Sequence, residues 1–202
     1  LYSGRDGFCV YCKADEAEAM PAPAAVEVEE AEHQSVEEKA RVELAMRLLT
    51  RKRLLPFVER FNADYQAGWV HKDVCRRLEE FSRKVVAKES PRLMLFLPPR
   101  HGKSTLASIA FPAWHLGRNP QHEFISCSYS GSLAMGFSRK VRGLLREPTY
   151  KTGFKTRLDP ESQSAEAWLT TAGGGFVAAG VGGGITGKGA HVLVIDDPVK
   201  NR

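Results

Sequence analysis

The sequence predicts an α/β fold of three layers on a largely parallel central sheet, and three observations carry that prediction. An apolar run, Arg92–Leu97, leads directly into the glycine-bearing loop Pro98–Ser104. A second apolar and β-branched run, His191–Ile195, ends in Asp196 and Asp197. Between the two, runs with strand and helix periodicity alternate, as they do where parallel strands are joined by helical crossovers.

Taken in order, residues 1–33 read as an acidic, disordered leader, because Ala14–Glu32 is rich in Ala, Glu and Pro and has few large apolar residues to bury. Residues 34–90 read as a helical segment. Ser35 and Glu38 form a capping box, and Val36, Ala40, Leu44 and Leu48 recur at helical spacing until Pro56. A second helix is marked by Val70, Val74, Leu78, Phe81 and Val85 on one face. Residues 91–202 hold the sheet. The first strand is expected at Arg92–Leu97, followed by a helix from Ser104 to His115 that Pro112 ends or kinks. A strand at Glu123–Ser128 precedes a helix from Ser132 to Arg146, stopped by Pro148. Trp168–Thr171 and Phe176–Ala179 flank three glycines and read as a β-hairpin, and Gly182–Gly189 reads as a flexible connector to the acidic strand.

The chain has 202 residues, enough for one sizeable domain and an appendage. No run approaches the roughly 18 apolar residues needed to cross a bilayer, and the start does not resemble a secretory signal, so membrane and secreted classes are set aside. The chain is expected to be a piece of a longer polypeptide. Net charge is +5, divided into −7 over residues 1–43 and +12 over the rest, which suits a body that meets a polyanion such as DNA. The four cysteines give no secreted-type disulfide framework. Cys9 and Cys12 have the spacing of half a zinc knuckle, with a redox pair or an exposed remnant as the other readings.

The loop and the acidic strand end are the candidate site. A phosphate-binding loop aims backbone N–H groups and a helix N-terminus at phosphates, adds a lysine, and holds Mg²⁺ through a hydroxyl. Pro99, Arg100, His101, Gly102, Lys103, Ser104 and Thr105 supply that loop, although Leu97 stands where a first glycine is usual. A buried parallel strand that ends in acid delivers a carboxylate to the same metal. Asp196 is then the metal-side acid, with Ser104 the metal-side hydroxyl. Asp197 is the carboxylate that orients or deprotonates the attacking water, in a position where Glu is usual. Upstream, Tyr65, Gln66 and Trp69 are candidates either for stacking on and reading a base or for packing a helix onto the sheet.

Four stretches in this order carry a likeness: Pro98–Ser104; Ser126–Ala134 with Ser138–Arg142; Gly182–Ala190; and Val194–Pro198. They resemble the ATPase portion of tailed-bacteriophage terminase large subunits, over roughly Phe61–Arg202. The resemblance implies a P-loop NTPase of the ASCE type, incomplete at its C-terminal end, with an N-terminal helical and disordered extension. It further implies ATP and Mg²⁺ as cofactors, and packaging of double-stranded DNA into a procapsid by a ring on the portal protein, alongside a small terminase subunit, in the host cell cytoplasm. A coupling motif and a nuclease domain are expected beyond Arg202. Lys103 takes the place of the phosphate-contacting lysine, and Arg100 that of an arginine stabilising the γ-phosphate. The residues leave open a helicase-like or AAA-type ATPase, and a nucleotide-regulated binding module that hydrolyses negligibly.

Overall fold

The structure is a computed structural model that describes residues 23–185 and 187–199. Cys9 and Cys12, with the first part of the leader, lie outside the described residues. The chain divides into two units, Leu1–Val42 and Glu43–Arg202. The described part of the first unit is helical and belongs to helix α1, Pro23–Lys52, which therefore starts inside the stretch expected to be disordered. Its apolar stripe does not become a buried face: Val36, Leu44 and Leu48 are all exposed.

In the second unit α2, Leu54–Phe61, follows after a break at Arg53. Pro56 was expected to end the preceding helix. It lies instead in the first turn of α2, where a proline's missing N–H would have no intrahelical partner in any case. α3, Trp69–Val86, has the predicted face, burying Val74, Leu78 and Val85. Beyond the glycine loop the chain enters a π-helical turn, Thr105–Ala110, and then α4, Phe111–Arg118. Pro112 neither ends nor breaks this helix. In an α-helix its ring would clash with the carbonyl of Ser108, four residues back, and the backbone widens there instead, with the Phe111 N–H reaching the Leu106 carbonyl.

The strands are β1 (Glu123–Ser128), β2 (Leu158–Gln163), β3 (Ala167–Thr170), β4 (Gly175–Gly180) and β5 (Val192–Ile195). They form one sheet in the order β2-β3-β4-β1-β5. β1 is parallel to both β4 and β5, while β2 and β3 add an antiparallel edge. The predicted β3–β4 hairpin is present. Gly174 is required beside it, because a Cβ there would lie 2.3 Å from the carbonyl oxygens of Pro120 and His122. α5, Gly131–Arg146, crosses between β1 and the later strands, capped by the Ser130 hydroxyl, which accepts from the Leu133 N–H. α6, Pro148–Gly153, follows it.

One expectation is corrected. Arg92–Leu97 is extended but pairs with no strand among the described residues. Its leucines, 93, 95 and 97, pack on the core, while Met94 and Phe96 are 79% and 87% exposed. Of the expected layers, the hydrophobic clusters of the described residues join helices to one face of the sheet. Helices cover only the face that presents Phe124, Phe176 and Val192, which join Leu54, Phe57 and Trp114 in the main core. On the opposite face Ile125, Cys127 and Ala179 form a small cluster with Val177 and Ile185. No helix packs on that face among the described residues, and Leu193 and Ile195 stay 52% and 59% exposed on β5.

Candidate functional site

The site is assembled at the carboxyl end of β5, where the glycine loop returns to the sheet. Gly102 has φ +73°, a left-handed conformation that favours glycine, although a Cβ there would meet the Tyr65 hydroxyl only at an ordinary 3.4 Å contact. Arg100 and Asp197 adopt positive φ as well, at +63° and +45°. Such backbone in side-chain-bearing residues is uncommon and concentrates at functional sites.

Lys103 and the acidic strand end, 94 residues apart in sequence, meet directly. The Lys103 ammonium donates to Asp197 Oδ1 at 2.9 Å and lies 3.7 Å from Asp196 Oδ1. The Asp197 carboxylate holds this lysine above its ordinary range. Asp196 is 5% exposed, and its Oδ2 accepts a 2.8 Å hydrogen bond from the buried Ser108 hydroxyl. Asp197 points outward, with a side chain 59% exposed. Two adjacent carboxylates just past the strand are thus separated into a buried one and an open one.

His71 was missed by sequence reasoning, and it braces the loop. Its Nδ1 accepts from the Gly68 N–H at 3.0 Å, so Nε2 carries the proton and donates to the His101 carbonyl, 3.3 Å away. Tyr65 packs edge-on against the His71 ring, at 5.5 Å between centroids. Burial pushes its phenol up to about 12, and its hydroxyl has no hydrogen-bond partner among the described residues. The segment Tyr65–His71 therefore lies against the loop. Trp69, the first residue of α3, holds its ring 81% exposed beside it, and Gln66 is exposed too.

The other loop residues are placed more simply. The His101 Nδ1 donates to the Pro99 carbonyl at 2.8 Å, and Arg100 is exposed. Ser104 is half-buried in the turn that starts the helix, and Thr105 opens the π-helical turn. Lys188, in the glycine-rich connector, is exposed. Of the basic residues on α5, Arg139 and Lys140 face solvent, and Arg142 donates to the Ser164 carbonyl at 2.8 Å. Burial raises both described thiols, Cys75 to about 12 and Cys127 in the same direction, so neither is a nucleophile at neutral pH. A concavity of about 510 Å³, lined by Lys52, Glu79, Arg83 and Arg118, lies away from the loop.

A sheet that is parallel at its centre, with a lysine-bearing glycine loop closed onto a doubly acidic strand end, is compatible with a nucleotide-binding α/β protein. Residues 94–202, more than half of the chain, match the family of the N-terminal part of terminase large subunits of the T4-like virus type. The chain belongs to that family. No curated protein and no solved structure matches it.

Proposed function

We propose that this chain is the ATP-hydrolysing part of a terminase large subunit, in which hydrolysis drives double-stranded viral DNA into a procapsid. The observation that carries this reading is the contact of Lys103 with Asp196 and Asp197. A lysine and two acids brought from 94 residues apart to the end of one strand form the group that phosphate and its metal require. The P-loop class of the ASCE type, ATP and Mg²⁺ as cofactors, and action in the host cytoplasm on a portal with a small terminase subunit belong to the same proposal.

The residues fit the cofactors. Mg²⁺ takes oxygen ligands and usually one or two carboxylates, with the rest from water and substrate phosphates. Ser104 and Asp196 would hold it, and the buried Asp196 is already fixed by Ser108. When bound, the ion neutralises charge on the transferring phosphoryl group. Lys103 leaves Asp197 to meet the β/γ-phosphates. Asp197, released, accepts a hydrogen bond from the attacking water and takes its proton. Arg100, exposed on the loop, supplies positive charge to the γ-phosphate, and the Trp69 ring stacks on the base.

The test is phosphate release by the protein that carries this chain, with and without linear duplex DNA. Turnover abolished by Lys103→Ala is the expected outcome, since the transferring group loses its main charge partner. Turnover that survives that substitution, or none in the unmodified protein, refutes the motor. The absence of turnover with ATP still bound points to a nucleotide-regulated module, a reading favoured by one observation: Asp stands at position 197, one methylene shorter than Glu.

A further inference from the structure

We infer that Ser108 is a positioning residue, which fixes the metal-side carboxylate of Asp196 so that one chosen oxygen faces the loop; the inference rests on the nucleotide-site reading above. A serine inside a helix ordinarily returns its proton to a carbonyl one turn back or faces solvent. Ser108 does neither. It is fully buried and donates to Asp196 Oδ2 at 2.8 Å, across 88 residues of sequence. This is the hydrogen bond made by the Asp196 side chain among the described residues, and it decides the orientation of the group. With Oδ2 held by Ser108, Oδ1 is the oxygen turned toward Lys103, at 3.7 Å.

The backbone that delivers this hydroxyl is itself unusual. The π-helical turn Thr105–Ala110 carries Ser108 near its middle, and π turns are rare and recur at functional sites. Its cause is in the sequence: Pro112 has no N–H for the Ser108 carbonyl, and its ring excludes the α-helical position of that carbonyl. Pro112 therefore widens the turn at the residue that meets the acid. Ser128 adds an independent sign of polar design at this depth. It follows Cys127 on β1 as Asp196 follows Ile195, the register partner of Cys127, and its buried hydroxyl has no partner among the described residues. The carboxylate thus has one hydroxyl bound to it, and the strand beside it ends in another that is open.

The experiment compares binding of a fluorescent ATP analogue in Mg²⁺ and in EDTA for the unmodified protein, Ser108→Ala, Ser108→Cys and Ser108→Thr. Cysteine nearly preserves the volume but is a weak donor, which separates the hydrogen bond from the packing. Loss of a partner that orients a metal ligand costs about 10-fold to 100-fold in metal affinity. The Ala and Cys variants should therefore lose about 10-fold or more of the affinity gained on adding Mg²⁺. Their binding in EDTA should stay unchanged, and Thr, which keeps the hydroxyl, should retain most of the gain. A normal Mg²⁺ gain in the Cys variant, or equal losses in Mg²⁺ and in EDTA, overturns the inference. Lys103→Ala separates the two levels of the argument. If it abolishes binding while the Ser108 variants behave as the unmodified protein, only the role of Ser108 falls. If it binds normally, the nucleotide site falls, and the role of Ser108 with it.

Discussion

Replacing Asp197 by asparagine should move binding and turnover in opposite directions. Before nucleotide arrives, Lys103 is held at 2.9 Å by Asp197, and any phosphate must take the lysine from that carboxylate. The side chain of Asp197 is 59% exposed and that of Lys103 29%, so the pair is largely solvated. It is worth about 0.5–1 kcal/mol, as exposed ion pairs are. Asp197→Asn removes this competition, and nucleotide affinity should rise by roughly 2-fold to 5-fold at low salt, less as salt screens the pair. Hydrolysis should nevertheless fall by about 10²-fold or more, the usual cost of losing a group that takes a proton in the transition state. Equilibrium binding of a fluorescent ATP analogue and single-turnover phosphate release, on the same preparation, give the two numbers. A parallel loss of affinity, like that expected for Asp196→Asn, would make Asp197 a metal ligand and refute the reasoning. So would turnover within a few-fold of the unmodified protein.

Two further outcomes are expected. His115 is fully buried, bonded to Ser82 at 2.8 Å and to His122 at 2.9 Å, and burial holds it at about 3 against an ordinary 6.5. A base held neutral in the fold contributes stability that is complete above its unfolded value and is lost as pH falls below it. Between pH 6.5 and 5 the loss from this residue should be about 2 kcal/mol, with His122 acting in the same direction. Thermal melts at pH 7 and pH 5 measure it, and a fall in Tm no larger than that of His115→Gln would refute it. Trp69→Ala should leave the melting temperature unchanged, because the ring is 81% exposed, and should weaken ATP binding by about 1–3 kcal/mol if the ring stacks on the base. A lower Tm with unchanged affinity would assign the ring to packing instead.

How far the fold was legible depended on whether local signals had a competing tertiary constraint. The three glycines before Phe176 and the apolar face of α3 gave their elements correctly, because turn chemistry and helical period decide those locally. The run at 92–97 did not become a ladder strand, since pairing is a tertiary choice that an apolar run alone does not decide. β2 escaped notice because Pro160 lies within it, a residue tolerated there by an edge strand. Of the three prolines expected to stop or kink helices, Pro148 follows the end of α5 as expected, while Pro56 was absorbed in a first turn and Pro112 by a widened one. In the candidate site, the meeting of Lys103 with Asp196 and Asp197 was foreseeable from residue type and spacing. Ser108 and His71 were not, since each acts through a partner far away in sequence. The available signal for Ser108 was a serine among apolar residues with a proline four positions on.

The half-covered sheet imposes two different rules on one short strand. Val192 is sealed in the core, so trimming it opens a void in a close-packed interior. Leu193 and Ile195, on the other face, are wet, and exchanging them for polar residues would leave the folding of the described residues nearly untouched while making the chain more soluble. A survey of tolerated substitutions along β5 would therefore read as an on-off pattern with a period of two. Any insistence on greasy side chains at positions 193 and 195 would be a demand placed on this strand from outside its own folding.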